Sequence, residues 1–470
     1  MASPGNIYRL TRSRDKMLTT ELSEADVAGL RANKERLQEW IHHSCQWGTG
    51  IKWGDHPTET GMARLALSQE DKQVRDWFVE TTKSLGCKVT IDSMGNIFAV
   101  RPGKRADVPA TFVGSHLDTQ PTGGRYDGIL GVCAGIEMLK ILDEKGIETE
   151  GGVGVVNWTN EEGARFPKSM ISAGVWAEGI SLETAHSLLE VPTVASLPSA
   201  ASAPESMKFA LERIGYLGSV PCSYKSFPIA AHFELHIEQG PHLVTAGQHV
   251  GVVTGVQAYR WYRINVTGRD CHTGSTAFQH RADAIYASAR MMVRAREVAD
   301  KHGCLASVGI VEVKPGSVNT VPGFVSFSLD IRGPEIENVD VVDAELRREF
   351  DIIAGEEGKG IGKPCRAEWQ LDFETPATKF HPECIECVTE SAKAVVADKP
   401  NPETLYRTIR SGAGHDSVFT NKRVPTSMVF VPCKDGVSHH PEEFSSAEDC
   451  VNGASVILQA VVRYDRQRFK

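Results

Sequence analysis

The sequence of 470 residues predicts an α/β fold with a mostly parallel sheet, into which a second domain of the α+β class is inserted. Two observations favour the parallel sheet: short apolar runs alternate with amphipathic helical patterns, and polar residues gather where two apolar runs end. A third favours the insertion, because the order between residues 257 and 374 changes to strand, helix, two strands, helix and strand, which is typical of a ferredoxin-like domain. We therefore expect a disordered tail at residues 1–20, a first domain built from residues 21–256 and 375–470, and an inserted domain at residues 257–374.

The first domain begins with helical patterns and continues with buried strands. In order, the patterns predict helices at residues 22–45 and 69–85, a hairpin at residues 87–101, a strand at residues 110–114, a helix at residues 129–142, and strands at residues 153–158 and 230–238. Residues 187–228 contain V-P-T-V-A-S-L-P-S-A-A-S-A-P. This small, proline-rich composition predicts a loop or an insertion rather than core.

The inserted domain and the return to the first domain follow. The patterns predict a strand at residues 260–267, a helix at residues 281–302, strands at residues 306–314 and 325–332, a helix at residues 339–354 and a strand at residues 366–373. The chain then returns with a helix at residues 381–397, a strand at residues 426–431 and a closing helix at residues 446–464.

The composition argues against several classes of partner. A formal net charge of −9 argues against nucleic acid and against an anionic membrane surface. No apolar run reaches the roughly 18 residues needed to span a bilayer. The 11 cysteines are scattered and odd in number, which favours reduced thiols, and the first residues lack the apolar core of a secretory signal. We expect a cytoplasmic protein with a small-molecule ligand.

Polar residues follow the apolar run at residues 110–114. His116 and Asp118 share a face of an extended backbone, so the Asp118 carboxylate can hold the ring of a metal-bound histidine. Asp127 follows in G-G-R-Y-D-G, where glycines permit a tight turn that returns the carboxylate to the strand end. A buried His–Asp hydrogen bond and an ordinary turn aspartate are the alternatives that need no metal.

Other candidates lie at further strand ends and loops. Glu161 and Glu162 are adjacent, and such carboxylates repel each other unless a cation lies between them or one is protonated. His236 lies on an alternating strand, and G-V-S-H-H-P-E-E-F contains His439 and His440. A solvated acidic turn, a half-exposed strand and a polar loop are the respective alternatives. Together these residues offer nitrogen and oxygen ligands without cysteine, which suits zinc, with manganese, cobalt or nickel as further possibilities.

Several long strings occur in order along the chain: G-S-H-L-D-T-Q-P, Y-D-G-I-L-G-V, N-E-E-G-A-R-F, H-F-E-L-H-I-E-Q-G-P, G-V-V-T-G-V-Q, R-S-G-A-G-H-D-S, V-P-T-S-M and K-D-G-V-S-H. With them, residues 22–465 resemble the di-zinc M20-type hydrolases, a superfamily of aminopeptidases, carboxypeptidases and aminoacylases, and within it the N-carbamoyl amino acid amidohydrolases. That group includes allantoate and ureidoglycolate amidohydrolases. The string I-G-Y-L-G is similar to the fungal β-alanine synthase subgroup, which acts on N-carbamoyl-β-alanine. The resemblance implies a di-zinc exopeptidase-like domain whose insertion serves as a lid and dimerisation domain.

The resemblance also implies a centre of two divalent metal ions, with Zn²⁺ preferred to Mn²⁺, Co²⁺ or Ni²⁺. Five residues would bind them: His116 and His236 on one ion, Glu162 and His439 on the other, and Asp127 on both. His439 is preferred to the histidine that follows it, because the metal histidine of the family follows Gly-x-Ser directly.

The remaining implied roles concern catalysis and the substrate. Glu161 would be the general base, and His272 in G-R-D-C-H-T-G-S-T would reach across a dimer interface to the scissile carbonyl. Arg332 would bind the substrate carboxylate, since its planar guanidinium matches that group. The pocket would be completed by Asn319, Gln239 and His415.

The implied reaction is metal-dependent hydrolysis of the ureido C–N bond of an N-carbamoyl amino acid, with N-carbamoyl-β-alanine as the first choice. The products would be the amino acid, carbon dioxide and ammonia. N-carbamoyl-L-α-amino acids, allantoate or ureidoglycolate, and the substrates of aminoacylases or dipeptidases are alternatives on the same scaffold. A non-catalytic binding relative is a more remote alternative. We expect a homodimer that forms through the inserted domain.

Overall fold

The structure is a computed structural model, and it describes residues 22–191 and 203–470. The predicted tail, residues 1–20, lies outside the described residues, as do residues 192–202 of the proline-rich stretch. No helix within the described ranges is long and apolar enough to cross a membrane.

The chain before the predicted insertion forms short helices around buried strands. In chain order the elements are α1 (Glu24–Ala28), α2 (Lys34–Ser44), β1 (Thr49–Lys52), β2 (Thr60–Met62), α3 (Gln69–Ser84), β3 (Lys88–Ile91), β4 (Ile97–Arg101), β5 (Ala110–His116), α4 (Ile129–Glu144), β6 (Val153–Trp158), α5 (Ile171–Trp176), α6 (Leu182–Ser187), α7 (Met207–Ile214), β7 (Ile229–Ile237), α8 (His242–Ala246) and β8 (Val250–Val256). The single helix predicted at residues 22–45 is two helices, because Gly29 ends α1 and the Asn33 side chain caps the start of α2.

The following segment contains β9 (Ala258–Thr267), β10 (Cys271–His272), a 3₁₀ turn (Phe278–His280), α9 (Ala284–Lys301), β11 (Leu305–Ser307), β12 (Val311–Lys314), β13 (Thr320–Val321), β14 (Phe324–Gly333), α10 (Ile336–Glu356), a 3₁₀ turn (Lys359–Ile361) and β15 (Arg366–Thr375). The chain then adds β16 (Thr378–Lys379), α11 (Pro382–Val396), a 3₁₀ turn (Pro402–Thr404), β17 (Tyr406–Ser411), α12 (Ser417–Thr420), β18 (Thr426–Val431), a 3₁₀ turn (Lys434–Gly436) and α13 (Ala447–Gln467).

The larger sheet has the strand order β3-β4-β6-β5-β7-β18-β8, and β16 and β17 also pair with β8. Its central pairs, β6–β5, β5–β7 and β7–β18, are parallel, whereas the pairs toward the edge strand β3 and the pair β18–β8 are antiparallel. Every residue of β5, β6 and β18 is buried, and α4 and α13 pack on these strands. The predicted α/β class with a mostly parallel central sheet is confirmed.

Two parts of the larger unit differ from the prediction. The stretch at residues 187–228 is not only loop: Ser206 caps α7, and this helix buries Met207, Leu211 and Ile214 in the main core. The prediction also lacked strands β8 and β17. Glycines interrupt the apolar pattern of V-G-V-V-T-G-V, and β17 is largely exposed, so neither shows a clear strand pattern.

Residues 258–375, which we call the insert, have a sheet and a core of their own. The sheet has the order β11-β14-β9-β15, with β12 also paired to β14, and the helices α9 and α10 pack on this sheet and against each other. Its buried residues form a second hydrophobic cluster, separate from the main core. The two ends of the insert are neighbours, because Tyr259 pairs with Thr375 and, just outside, Val256 pairs with Thr378.

Candidate metal centre

The histidines and acidic residues that the sequence singled out meet at one edge of the larger sheet. His116 is the last residue of β5, and His236 is the last but one of β7. Glu161 and Glu162 follow β6 by three and four residues. Since β5, β6 and β7 run parallel and side by side, their carboxyl ends lie together, which is where open α/β sheets bind ligands.

The side chains form two clusters that share one carboxylate. Ligand atoms of His116, Asp127 and His236 lie within 4.8 Å of one another, and so do those of Asp127, Glu162 and His439. The Oδ1 atom of Asp127 is 3.0 Å from His236 Nε2 and 3.4 Å from His116 Nε2. On the other side, His439 Nε2 is 3.4 Å from both Asp127 Oδ2 and Glu162 Oε2. The structure thus brings together all five residues that the sequence proposed as metal ligands.

The donor atoms fit a cation. His116 Nδ1 and His236 Nδ1 each lie 2.9 Å from a main-chain carbonyl oxygen, so these nitrogens carry the ring protons. Nε2 of both rings and Oε1 of Glu162 are buried without a hydrogen-bond partner among the described residues. Buried polar atoms of this kind are costly unless something binds them. Three imidazoles and two carboxylates, without a thiolate, make a donor set that suits Zn²⁺ and similar divalent ions.

Asp118 supports this edge in a way that differs from the prediction. Its main-chain carbonyl oxygen, not its carboxylate, accepts the hydrogen bond from His116 Nδ1. The carboxylate instead accepts the main-chain N–H groups of Glu161 and Glu162, at 3.3 and 3.2 Å. Asp118 therefore orients the glutamates of the neighbouring loop as well as the ring.

The charges in the site depend on one another. Burial raises the pKa of Glu161 well above its usual range, and the nearby carboxylates of Asp416 and Glu162 raise it further. Burial also acts on Asp127, but the rings of His236 and His116 hold the pKa of Asp127 well below its usual range. Burial and the charge of Asp127 raise the pKa of Glu162. Carboxylates crowded in this way are stabilised when positive charge lies between them.

The tight loop before α4 explains the glycines of G-G-R-Y-D-G. Gly128 has φ +66°, and a Cβ atom there would lie 2.4 Å from the His116 ring. A Cβ atom on Gly124 would lie 2.2 Å from Glu443. Oε1 of the buried Glu443 accepts the main-chain N–H groups of Tyr126 and Asp127, both at 3.0 Å. Glu443 thereby holds the backbone that presents the shared Asp127 carboxylate.

Residues with left-handed backbone conformations surround the site. Asn160, Met170, Gln239 and His439 have φ angles of 57°, 53°, 58° and 55°. Such conformations cost non-glycine residues on the order of 1–3 kcal/mol each and persist where the surrounding structure imposes them. The backbone is therefore strained where it presents side chains to the site.

A cavity of about 250 Å³ opens beside the two clusters. Its lining comes from both sheets and consists of Gln120, Asp127, Glu161, Glu162, Ser169, Met170, His236, Gln239, Tyr259, Trp261, Arg332, Ala413, Gly414, His415 and His439. The insert contributes Tyr259, Trp261 and Arg332, so the cavity lies between the insert and the main sheet.

Three of the residues proposed for substrate binding line this cavity. Gln239 Nε2 donates to Asp127 Oδ2 at 2.7 Å, and the His415 ring lies 4.4 Å from the His236 ring. The Arg332 guanidinium lies over the Tyr259 ring, 5.0 Å from its centroid. It donates to the Asp330 carboxylate through Nε and Nη2, and to the Gly412 carbonyl through Nη1.

Asn319 and His272 do not line the cavity of their own chain. Both are exposed. His272 lies on the two-residue strand β10, and Asn319 directly precedes its partner strand β13, where the Thr273 N–H donates to the Asn319 carbonyl at 3.0 Å. The prediction that Asn319 completes the pocket is therefore not met within one chain.

Several residues at the site were not found from the sequence. Gln120 Nε2 donates to Glu162 Oε2 at 2.7 Å. The sequence carried a signal for this residue, because Gln120 follows His116 and Asp118 at intervals of two, and alternate residues of an extended chain share a face. Glu443 follows the proposed metal histidine by four residues, which was a weaker signal. Tyr259 and Trp261 lie on β9, which pairs with the strand of Arg332. Their proximity to Arg332 follows only from the strand register, which the sequence does not show.

Comparisons with known proteins agree with this geometry. A model of peptidase family M20/M25/M40 matches residues 112–463. An N-carbamoyl-L-amino-acid amidohydrolase from Rhizobium meliloti is 36% identical over 436 residues, which cover 92% of this chain and 96% of the relative. A ureidoglycolate hydrolase from Oryza sativa subsp. japonica is 29% identical over 421 residues, covering 88% of this chain and 82% of the relative.

Among solved structures, an amidase of the hydantoinase/carbamoylase family from Burkholderia multivorans superimposes with a TM-score of 0.78 at 38% identity, covering 92% of this chain and 98% of that one. The site and these likenesses define the class of protein, a metal-dependent amidohydrolase. The chain belongs to peptidase family M20/M25/M40.

Proposed function

We propose that the protein hydrolyses the ureido C–N bond of N-carbamoyl amino acids, and that N-carbamoyl-β-alanine is among its substrates. The observation that carries this proposal is the joint presence of two clusters sharing Asp127 and of the Arg332 guanidinium in one small cavity. The clusters suit hydrolysis at a carbonyl, and the guanidinium suits a substrate that bears a carboxylate.

In this proposal His116, His236 and Asp127 hold one divalent ion, and Asp127, Glu162 and His439 hold the second. When bound, the ions supply Lewis acidity toward the carbonyl oxygen and lower the pKa of water. Glu161, whose Oε2 is 3.7 Å from His116 Nε2, takes the proton of the attacking water and passes it to the leaving nitrogen. The carbamate that remains then loses carbon dioxide, so water and substrate give amino acid, carbon dioxide and ammonia.

The hydrogen bonds of two histidines leave different ring nitrogens free for the substrate. The Ser411 hydroxyl donates to the Ala413 carbonyl, so the Ser411 oxygen, 3.1 Å from His415 Nε2, accepts that ring proton. This leaves Nδ1 of a neutral His415 as an acceptor for a substrate N–H. In His272 it is Nδ1 that is already occupied, because it accepts the N–H groups of Gly274 and Ser275. A neutral His272 then carries its proton on Nε2 and donates to the developing oxyanion.

His272 and Asn319 would act in the site of a second subunit, because they are exposed in the insert and outside the cavity of their own chain. We therefore propose a homodimer that forms through the insert, with each site completed by the partner.

Arg332 has N–H groups that are still free to bind the substrate. Asp330 occupies the Nε side of the guanidinium and Gly412 accepts from Nη1, which leaves one N–H on each terminal nitrogen. Those two N–H groups fit the two oxygens of a carboxylate.

A substrate panel on zinc-replete protein tests the proposal. The panel contains N-carbamoyl-β-alanine, N-carbamoyl-L-alanine, allantoate, an N-acetyl amino acid and a dipeptide, and is scored by ammonia and amine release. Equimolar ammonia and amino acid from an N-carbamoyl compound, lost after dialysis against a chelator and regained with Zn²⁺, is the expected result. Turnover of the dipeptide or the N-acetyl amino acid, with none of the N-carbamoyl compounds, would reject it.

A second candidate function rests on the relatives. Those named above act, by their names, on N-carbamoyl-L-amino acids and on ureidoglycolate. Preference for N-carbamoyl-L-alanine over N-carbamoyl-β-alanine in the same panel would favour the first of these classes. Rapid ammonia release from ureidoglycolate would favour the second.

A further inference from the structure

A second cavity lies on the same face of the insert's sheet as the first. Its volume is about 430 Å³, against about 250 Å³ for the cavity at the metal clusters. It is lined by Trp261, Tyr262, Arg263, Ser307, Gly309, Ile310, Glu312, Ser326, Phe327, Ser328, Leu329, Asp330 and Asp372. Of the described residues, Trp261 is the one that lines both cavities.

The strand register makes Trp261 part of a wall between the two spaces. On the paired strands β9 and β14, Trp261 lies opposite Asp330 and Tyr259 lies opposite Arg332. Tyr259 and Arg332 line the first cavity, whereas Asp330 lines the second. The hydrogen bonds between Asp330 and Arg332 continue the wall along β14, beside Trp261 on β9.

Aromatic contacts hold the Trp261 ring in place. Its centroid lies 5.6 Å from that of Tyr259 and 5.4 Å from that of Phe373 on the other neighbouring strand. A bulge between Leu371 and Phe373 brings Phe373 opposite Trp261. Contacts of this kind favour one position of the ring.

Side chains packed around Gly414 prevent the first cavity from extending on that side. A Cβ atom on Gly414 would lie 2.9 Å from Met170 Cε and 3.2 Å from the Tyr259 hydroxyl oxygen. A pocket of about 250 Å³ is also below the roughly 300–1,000 Å³ common for ligand sites. The space beyond Trp261 is therefore where a larger substrate could extend.

We propose that Trp261 is a specificity-determining residue that restricts the enzyme to N-carbamoyl amino acids with small side chains or none. This inference rests on the proposed function. With the substrate carboxylate on Arg332, the neighbouring carbon lies beside the Tyr259 and Trp261 rings, since Arg332 is stacked on Tyr259. A bulky substituent on that carbon meets the indole, and removal of the indole joins the two cavities.

The test compares Trp261→Ala with Trp261→Phe and Ile310→Ala. Trp261→Phe keeps an aromatic wall but removes the indole N–H, which is buried without a hydrogen-bond partner among the described residues. Ile310 lines the second cavity but not the first. The substrates are N-carbamoyl-β-alanine, N-carbamoylglycine, N-carbamoyl-L-phenylalanine and N-carbamoyl-L-tryptophan, and zinc content is measured for each variant.

We expect the wild-type enzyme to hydrolyse the two small substrates and to act at least tenfold less efficiently on the aromatic ones. Trp261→Ala should raise kcat/KM for the aromatic substrates at least tenfold relative to the small ones, while Trp261→Phe and Ile310→Ala keep the wild-type order. The inference fails if the wild type already accepts the aromatic substrates, or if zinc-loaded Trp261→Ala hydrolyses the small substrates and gains nothing on the large ones. The proposed function survives both of these outcomes. No activity on any member of the panel would overturn both.

Discussion

The two sides of the cavity present their functional groups in different ways. On the main sheet, His116 and His236 are each 1% exposed, project from adjacent parallel strands, and have their Nδ1 atoms fixed by main-chain carbonyls. On the insert, the Arg332 side chain is 26% exposed, and His272 is exposed on a two-residue strand. The proposed metal ligands on the strands of the main sheet are buried, whereas Arg332 and His272, proposed to act on the substrate, lie on the insert, which has a core of its own. We therefore expect variants of the proposed metal ligands and of Glu161 on the main unit to change metal content or turnover, and variants of Arg332 on the insert to change substrate affinity.

The largest effect should come from Glu161→Gln. Replacing the proposed base with an isosteric amide removes proton transfer, so kcat should fall about a thousandfold. Zinc content should stay at the wild-type value, because Glu161 belongs to neither ligand cluster. Ammonia release and metal analysis on the same preparation measure both. The matched variant Glu162→Gln should instead lose zinc. A fall in kcat of less than tenfold would remove Glu161 from the role of base.

Arg332→Ala should act on binding rather than on turnover. Loss of the guanidinium should raise KM for a carboxylate-bearing substrate about 10- to 100-fold, with little change in kcat. Arg332→Lys keeps the charge but not the planar guanidinium, so its KM should lie between those of the wild type and Arg332→Ala. An N-carbamoyl amine without a carboxylate serves as the control substrate and should show no difference. An unchanged KM for N-carbamoyl-β-alanine would break the proposed division between the two sides.

Mixing two inactive variants tests whether the insert completes a neighbour's site. His272→Ala and Glu161→Gln should each be nearly inactive alone. A mixed dimer contains one site with both substitutions and one with neither, so a randomly exchanged mixture should regain roughly a quarter of the wild-type activity. Mild unfolding and refolding of the mixture, followed by ammonia release, measures this recovery. If the mixture stays as inactive as its components, His272 does not act in trans.

The smallest effect should come from Glu443→Gln, in the loop before α13. The amide can still accept the N–H groups of Tyr126 and Asp127, but its NH₂ group replaces the oxygen that accepts the Ser438 hydroxyl at 2.8 Å. Residues that orient ligands in this way typically contribute about 10- to 100-fold to metal affinity. Zinc competition against a chelating dye measures the change. The exposed neighbour Glu442 provides the control, and Glu442→Gln should match the wild type.

The metal side of the site could be predicted from the sequence to a greater extent than the insert side. His116 and Asp127 lie in one local motif. Glu161, Glu162 and His236 lie at or just after the ends of apolar runs, which can be recognised in the sequence. The contacts of Asp118 could not be predicted in the same way, because its carboxylate and its carbonyl oxygen are both within reach of the ring, and only the turn after β5 decides between them. Glu443 is far from Asp127 in the chain, so their contact depends on tertiary packing.

On the insert, the order of strands and helices was predictable, but the neighbours of Arg332 were not. Its contacts with Tyr259 and Asp330 follow from strand register and side-chain direction, and alternation alone does not determine which residues of two strands lie opposite each other. Asn319 shows the same limit, since it directly precedes β13, and a strand of two residues carries almost no pattern. The strands β8 and β17 were missed because glycines or exposure weaken the apolar alternation by which strands are identified.

The positions at which the chain enters and leaves the insert bear on how the domain arrangement can evolve. The polypeptide leaves the main sheet after Val256 and returns at Thr378, and these two residues are paired neighbours. Joining the two ends therefore requires no stretching of the main sheet, which is the condition under which whole domains can be gained, exchanged or shortened. The main core has its own buried cluster and does not depend on the insert's core for packing. The molecule is in this sense modular: the proposed metal ligands and Glu161 lie on one module, and exchange of the other by recombination would replace Arg332 and His272 without altering those residues.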